Sequence, residues 1–358
     1  MNLSRIPVLL LSFGLCVTTS LAGQQRAWRD PSSHRIRFIT VESGIRLEVL
    51  DWAGTGPAVV LLTGSGNTAH VYDDFAPKLT SFCHPYAITR RGFGASSRPD
   101  SGYTEQRLAR DVLRVLDELK LKKPVLVGHS MAGEELTRLA SDHADRVAAL
   151  VYLEAAADPS DFPASSPAYM QLFEKLPDAR KSDPEPPASD RTSFQAYRDW
   201  QMRNGKAPFP ESELRNMYEM NRDGSVGDYN ASTEAIHEAI GNGAQKRDYS
   251  KIHVPILAIF TWSCSEKITT PYTCIQSPHH NPLYPAKLPA QPKNQQERAA
   301  IDAFEDATLA YINRWNRNLV TAPGGARLVD IPGADHYIFI SNEEDVIDEL
   351  KAFLSRQH

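Results

Sequence analysis

The segment Pro124-Val125-Leu126-Val127-Gly128-His129-Ser130-Met131-Ala132-Gly133 decides the fold. An apolar run of strand length leads into a Gly-x-Ser-x-small turn, and a helical pattern follows it. A serine between such a strand and helix is held in a tight turn, so the residues two positions away have to be small. Gly128 meets this condition and Ala132 nearly does, while Gly133 follows one residue later. The pattern predicts that Ser130 is a nucleophile at the end of a buried strand.

Further short apolar runs alternate with amphipathic helical patterns along the chain. These runs are nearly continuous, as in strands buried on both faces of a parallel sheet: Ala58–Leu62, Val125–Val127, Leu150–Leu153 and Ile256–Phe260. Two stretches near residues 36–40 and 45–49 alternate apolar and polar side chains, which predicts an antiparallel pair at the start. Strands that alternate with helices predict an α/β fold with a mostly parallel, doubly wound sheet.

Two helix starts are predicted from capping patterns. Thr104 is the predicted N-cap of a helix that contains Leu108 and Leu119. Ser341 and Glu344 have the spacing of a capping box at the start of a last helix. That helix is expected to bury one apolar face, made of Val346, Ile347, Leu350 and Phe353.

One long interval lacks this alternation of strands and helices. Residues 155–253 show only helical segments and proline-rich loops, and an insertion of roughly a hundred residues is too long for a simple connection. We predict a core of residues 23–154 and 254–358, with residues 155–253 inserted between core strands as a helical cap. A set of cap side chains indicates either an apolar pocket or the cap's own core: Phe194, Tyr197, Trp200, Met202 and Tyr218.

The first 22 residues have the layout of a secretory signal peptide. Arg5 precedes an apolar stretch, Ile6–Val17, and Ser20-Leu21-Ala22 forms a small-x-small cleavage pattern. The apolar stretch is too short to cross about 30 Å of hydrocarbon, so no membrane span is expected. We expect a secreted or periplasmic protein. A net charge of −5 without a long basic block argues against nucleic acid as a partner.

Export would place the cysteines in an oxidising compartment. Cys264 and Cys274 lie close together in sequence and are predicted to form a disulfide. Cys83 precedes a predicted strand and is expected to be a buried thiol. Metal binding is the alternative for the pair, but no CxxC or HxxxH spacing supports it, so neither a metal nor a cofactor is predicted.

The segment around Ser130 resembles the nucleophile elbow of the α/β-hydrolase superfamily, especially its capped esterase and haloperoxidase-like branch. The resemblance covers nearly all of the chain after the signal peptide. It includes three further motifs at the places where that fold has them: Leu62–Asn67, Arg91–Ser96 and Ile331–His336. By this resemblance the backbone amides of Ser65 and Met131 form the oxyanion hole. Thr63-Gly64 stands where the family usually has His-Gly.

His336 is the predicted base. It follows a strand-like run and a Pro-Gly turn, and the last helix begins just after it. The chain order of nucleophile, acid and histidine is the one that this fold requires. The usual place for the acid is a few residues beyond Ile256–Phe260, where Cys264 stands. We therefore predict Glu154, at the end of the preceding strand, as the acid, with Glu266 as the alternative.

A serine nucleophile predicts two-step acyl transfer to water, with a small carboxylic ester as the leading substrate class. Dehalogenases and epoxide hydrolases of this fold use an aspartate nucleophile, so the resemblance argues against those two activities. Amides, lactones and C–C bonds are alternative substrates for the same triad, and cofactor-free haloperoxidase activity could accompany any of them. A catalytically silent binding protein is the alternative from another functional class.

Overall fold

The computed structural model describes residues 28–155, 158, 166–177, 185–243, 245–262 and 292–357. Its main sheet has eight strands: β1 (Arg35–Glu42), β2 (Ile45–Asp51), β3 (Ala58–Leu62), β4 (His84–Ile88), β5 (Val125–His129), β6 (Ala149–Leu153), β9 (Ile256–Trp262) and β10 (Ala326–Pro332). Their order across the sheet is β1-β2-β4-β3-β5-β6-β9-β10. β2 runs antiparallel to β1 and β4, and all other neighbours are parallel. The predicted mostly parallel sheet is confirmed.

The continuous apolar runs are explained by burial on both faces of the sheet. All five residues of β5 are buried. Val125 and Val127 contribute to one apolar cluster, and Leu126 contributes to the cluster on the opposite face. Helices cover both faces: α1 (Ala76–Leu79), α2 (Glu105–Glu118), α3 (Ala132–Asp142), α8 (Gln295–Leu319), α9 (Ile338–Ser341) and α10 (Glu343–Leu354).

The two predicted helix starts have different outcomes. Thr104 is the N-cap of α2, and its hydroxyl accepts a hydrogen bond from the Arg107 amide, as predicted. The capping box at Ser341 is wrong. Ser341 ends α9, and α10 begins at Glu343 after Asn342, which makes no capping hydrogen bond through its side chain. The Ser341 hydroxyl instead accepts from the amide of Asp335, so it stabilises the loop before it.

The chain leaves the main sheet after β6 and returns at β9, which pairs with β6. The elements between them are α4 (Pro167–Glu174), α5 (Phe194–Arg203), α6 (Glu211–Met217), β7 (Tyr218–Met220), β8 (Val226–Tyr229) and α7 (Ala231–Asn242). The antiparallel pair β7–β8 was not predicted, because strands of three and four residues are too short to show a period of two. Phe194, Tyr197 and Trp200 are buried as core residues.

Three of the sequence predictions concern residues that the structure does not describe. The signal peptide, Glu266 and the pair Cys264–Cys274 lie outside the described residues. Cys83 is a free, fully buried thiol, as predicted, and burial raises the pKa of its thiol to about 12. None of the helices in the described ranges combines the length and the apolar character needed to cross a membrane.

Candidate active site

Ser130 lies at the carboxyl end of β5, in the turn that leads into α3. Its φ of +53° is in the left-handed region, where a non-glycine residue costs about 1–3 kcal/mol. The Ser130 amide donates to the Leu153 carbonyl at 3.0 Å, which ties the turn to the neighbouring strand β6. A Cβ on Gly128 would approach the Leu136 side chain to 2.7 Å, so the turn requires the small residue that the sequence has there.

Gly133 explains why the sequence has Ala132-Gly133 where the usual motif has a single glycine. A Cβ on Gly133 would lie 1.9 Å from the Ala155 carbonyl oxygen. The backbone just beyond β6 therefore passes directly against the first turn of α3. The same carbonyl accepts from the buried Arg247 guanidinium at 2.5 Å, which holds it in this place. The glycine permits a close approach between the serine turn and the segment that carries Glu154.

His336 lies in the loop between β10 and α9. Its Nε2 is 3.0 Å from the Ser130 hydroxyl oxygen, which is hydrogen-bond distance. The loop is fixed on both sides of the histidine. The Asp335 amide donates to the Ser341 hydroxyl, and the Asp335 carboxylate accepts from the Tyr337 amide, each at 2.9 Å. The imidazole can accept the serine proton at Nε2 when its other nitrogen carries the hydrogen.

Glu154 lies on the other side of the same imidazole. Its Oε2 is 3.5 Å from His336 Nδ1, and its Oε1 accepts from the Thr261 amide of β9 at 2.5 Å. Glu154 has a φ of +51°, so both the serine and the carboxylate are held in left-handed turns at the ends of adjacent strands. At 3.5 Å the contact to Nδ1 is longer than an ordinary hydrogen bond and is an ion-pair distance when the imidazole is protonated. The structure thus brings together Ser130, His336 and Glu154.

The loop after β3 packs against the nucleophile. A Cβ on Gly64 would lie 3.3 Å from the Cβ of Ser130, so the loop backbone approaches the serine closely. The buried Arg90 guanidinium donates to the Thr63 carbonyl at 2.9 Å and forms a two-contact ion pair with Glu135. Ser65 is in this loop.

Within the described residues, the amides of Ser65 and Met131 make no hydrogen bond to another backbone group. They are the two amides that the family resemblance predicts as donors of an oxyanion hole.

Sequence analysis missed the contribution of His129. This side chain is buried, and its Nε2 is 2.8 Å from the His336 carbonyl oxygen. A carbonyl only accepts, so Nε2 carries the hydrogen and donates it. Burial, and next the positive charge that His336 can carry, hold the pKa of His129 well below its usual range. A neutral His129 holds the backbone of His336 without opposing an imidazolium 4.7 Å away. In the sequence, the only indication of this role is the position of His129 directly before Ser130.

A second polar cluster contains side chains of the kinds that can bind a metal ion. His34, His70 and Asp73 bring potential ligand atoms within 4.8 Å of one another. The nitrogens of both histidines lie 2.9 Å from Asp73 oxygens, which is hydrogen-bond distance. Burial lowers the pKa of His70, but Asp73 and Glu48 outweigh it and raise that pKa to about 10. Asp73 thus lies between two histidines in a buried charge network.

The family model described as "Alpha/beta hydrolase family" matches residues 59–349. Epoxide hydrolase A of Mycobacterium tuberculosis is 34% identical over 121 residues, which are 33% of this chain and 38% of that protein. Fluoroacetate dehalogenase of a Burkholderia species is 29% identical over 166 residues, 45% of this chain and 47% of that protein. The chain therefore matches less than half the length of these curated relatives.

The structural comparison supports the same fold over a longer range. The crystal structure of E-2-(acetamidomethylene)succinate hydrolase superimposes with a TM-score of 0.57. The match covers 90% of this chain and 99% of that one, at 18% identity. Together with the family match over residues 59–349, this shows that the chain belongs to the alpha/beta hydrolase family.

Proposed function

We propose that this protein is a serine hydrolase that cleaves small carboxylic esters, with Ser130 as nucleophile, His336 as base and Glu154 as the acid. The observation that carries the proposal is the distance of 3.0 Å between Ser130 Oγ and His336 Nε2, with Glu154 beside the opposite nitrogen. A serine hydroxyl is a weak nucleophile on its own and needs an adjacent base that is oriented by a third group.

The proposed reaction has two halves. Ser130 Oγ attacks the acyl carbon while His336 Nε2 takes the hydroxyl proton, and Glu154 stabilises the imidazolium. The oxyanion is stabilised by the amides of Ser65 and Met131. His336 then gives its proton to the leaving alkoxide, so an alcohol departs and an acyl-serine remains. In the second half water attacks the acyl carbon while His336 takes a proton from it, and His336 then returns this proton to Ser130 Oγ as the acyl–oxygen bond breaks, which releases the carboxylic acid and regenerates Ser130.

The nucleophile argues against the activities in the names of two relatives. An aspartate that displaces fluoride or opens an epoxide forms an alkyl ester, which water can hydrolyse. A serine in that role would form an alkyl ether, which has no carbonyl for water to attack. Because Ser130 occupies the nucleophile position, acyl substrates fit the site better than haloalkanes or epoxides.

A panel of p-nitrophenyl esters with graded acyl chains tests the proposal. We expect wild-type turnover of at least one ester and loss of that turnover in Ser130→Ala, while the melting temperature stays near that of the wild type. If the wild type neither hydrolyses any ester nor is labelled covalently at Ser130 by a fluorophosphonate, a catalytically silent binding protein is favoured.

The identity of the acid needs its own pair of variants. Glu154→Gln keeps the size of the side chain but removes the charge that stabilises the imidazolium, so kcat is expected to fall on the order of 10⁴-fold. Glu266→Gln is the matched control and is expected to keep nearly full activity. Collapse of activity in Glu266→Gln alone would assign the acid to Glu266.

We also propose that the chain is exported and cut after Ala22, on the basis of Arg5 and the apolar stretch that follows it. The intact mass of protein recovered from outside the cytoplasm tests this. A mass that still includes Met1 to Ala22 would refute the cleavage.

A further inference from the structure

Glu213 of the cap helix α6 is a carboxylate buried against the core. Its side chain has no measurable exposure, and its contacts are with the loop that follows β3. Oε1 accepts from the Asn67 side-chain amide at 2.9 Å and from the Thr68 amide at 3.0 Å. Oε2 lies 2.5 Å from the Thr68 hydroxyl. Three polar groups of one core loop therefore share a single carboxylate from the cap.

Asn67 connects this carboxylate to the rest of the site. Its carbonyl accepts from the Thr63 hydroxyl at 3.2 Å, which closes the loop that contains Ser65. Its side-chain oxygen accepts from the Tyr337 hydroxyl at 3.2 Å, and Tyr337 directly follows the proposed base. The one asparagine thus contacts the cap, the oxyanion loop and the histidine loop.

We propose that Glu213 is a positioning residue that fixes the oxyanion loop through Asn67 and Thr68, so that the donor geometry of the oxyanion hole depends on a docked cap. The inference rests on the proposed function, because the oxyanion hole matters only if an acyl group reacts at Ser130. Glu213 itself acts through the loop and touches neither Ser130 nor His336 in the structure.

The physical reason is the precision that an oxyanion hole requires. Its donors have to lie about 3 Å from the developing charge, and a displacement near 1 Å can cost about 10²-fold in rate. The loop contains Gly64 and Gly66, and Gly66 has a φ of +75°. Such a loop needs side-chain contacts to hold one conformation. Glu213 supplies them from a packed helix, whereas a carboxylate that was only a surface anchor would not be fully buried.

A merely structural role in cap docking is the alternative, and neighbouring residues of α6 provide the controls. The Ser212 hydroxyl donates to Asp73 at 2.5 Å, which is a cap–core contact that leaves Asn67 and Thr68 untouched. Glu211 pairs with Arg215 on the same helix at 2.7 Å. Ser212→Ala therefore weakens docking without releasing the loop, and Glu211→Gln removes a carboxylate of the same helix that has no loop contact.

The first test is independent of catalysis. Hydrogen exchange of the peptide that contains residues 63–68 is measured in the wild type, Glu213→Ala, Glu213→Gln and the two controls. We expect exchange in this peptide to rise at least tenfold in Glu213→Ala and to stay near wild type in both controls. Gln should also protect the loop, because its oxygen can replace Oε1 and its amide can donate to the Thr68 hydroxyl. Unchanged exchange in a folded Glu213→Ala protein overturns the proposal. If that variant does not fold, Thr68→Val removes the hydroxyl contact to Glu213 from the core side, leaves the Asn67–Tyr337 hydrogen bond in place, and is judged by the same criterion.

The second test measures kcat and KM for an ester that the wild type hydrolyses, together with the Ki of a trifluoromethyl ketone that forms a tetrahedral adduct. Glu213→Ala should lower kcat by about 10–100-fold with little change in KM, raise the Ki in parallel, and be rescued by Glu213→Gln. An equal effect of Ser212→Ala, or a change confined to KM, would overturn the positioning role. A wild-type protein that neither reacts with a fluorophosphonate nor hydrolyses esters would refute the proposed function. Faster exchange of residues 63–68 in Glu213→Ala would still establish the loop contact in that case.

Discussion

Gly133→Ala is a single-methyl change whose effect can be worked out from the structure. The new Cβ would lie 1.9 Å from the Ala155 carbonyl oxygen and 2.8 Å from Arg247 Nη1. Ordinary contact begins near 3.4 Å, so one of the two backbones has to move by about 1.5 Å. Glu154 immediately precedes the displaced carbonyl, and Ser130 lies in the turn before Gly133. The methyl group therefore separates the acid from the nucleophile.

A displacement of this size predicts a loss of about 10²-fold in kcat/KM, because near 1 Å of misplacement has that effect on a preorganised site. Overpacking of a buried contact should also lower the free energy of unfolding by about 1–3 kcal/mol. Both quantities can be measured on one preparation, by ester turnover or fluorophosphonate labelling rate and by urea unfolding. The labelling rate needs no knowledge of the substrate.

Gly241→Ala is the matched control. This glycine lies in the last turn of α7, and nothing comes within 4 Å of a Cβ built on it. The same methyl group should leave activity unchanged there and alter stability by no more than about 1 kcal/mol, in the stabilising direction. A Gly133→Ala protein as active as the wild type would refute the close approach between α3 and the segment after β6.

Two further predictions concern pH and the cysteines. Burial raises the pKa of Glu213 to about 7, against the hydrogen bonds from its loop partners and the charge of His70. A carboxyl with a raised folded-state pKa contributes stability below its unfolded value near 4.5, and this contribution is lost as the pH rises towards 7. Urea unfolding from pH 4.5 to 8 should show Glu213→Gln gaining stability relative to wild type as the pH rises, and a constant difference would contradict the raised pKa. Cys264 and Cys274 should appear as a linked peptide in non-reducing maps of exported protein, and free thiols at both positions would disprove the pairing.

The parts of the fold that sequence analysis predicted are those fixed by local patterns. The run at Val125–Val127 is apolar because it is buried on both faces, and the residues around Ser130 are small because they fit a tight turn. The strand and the turn can therefore both be recognised from the amino-acid sequence alone. His336 was predicted from chain order and its turn, and Glu154 because it ends the next strand in sequence after that of Ser130; the structure places these two strands side by side. Each of these inferences uses information within a few residues or the order of elements.

The parts that sequence analysis missed depend on contacts between distant segments. The amino-acid sequence does not indicate that Glu213 accepts a hydrogen bond from Asn67, which is 146 residues away, or that His129 donates to the His336 carbonyl. The capping-box pattern at Ser341 was misleading for a local reason, since the amide of Asp335, six residues earlier, donates to that hydroxyl and the last helix starts two residues later. A capping preference is not realised when the side chain has a competing hydrogen-bond partner.

The central claim is that Ser130 is a nucleophile activated by His336, and the most direct measurement is peptide mapping of the protein after reaction with a fluorophosphonate. An activated serine displaces fluoride from such a probe and keeps a stable phosphonyl adduct of known mass. We predict one adduct, on the peptide that contains Ser130, absent in Ser130→Ala and formed far more slowly in His336→Ala. A wild-type protein that forms no adduct, or an adduct that persists in Ser130→Ala, would contradict the claim.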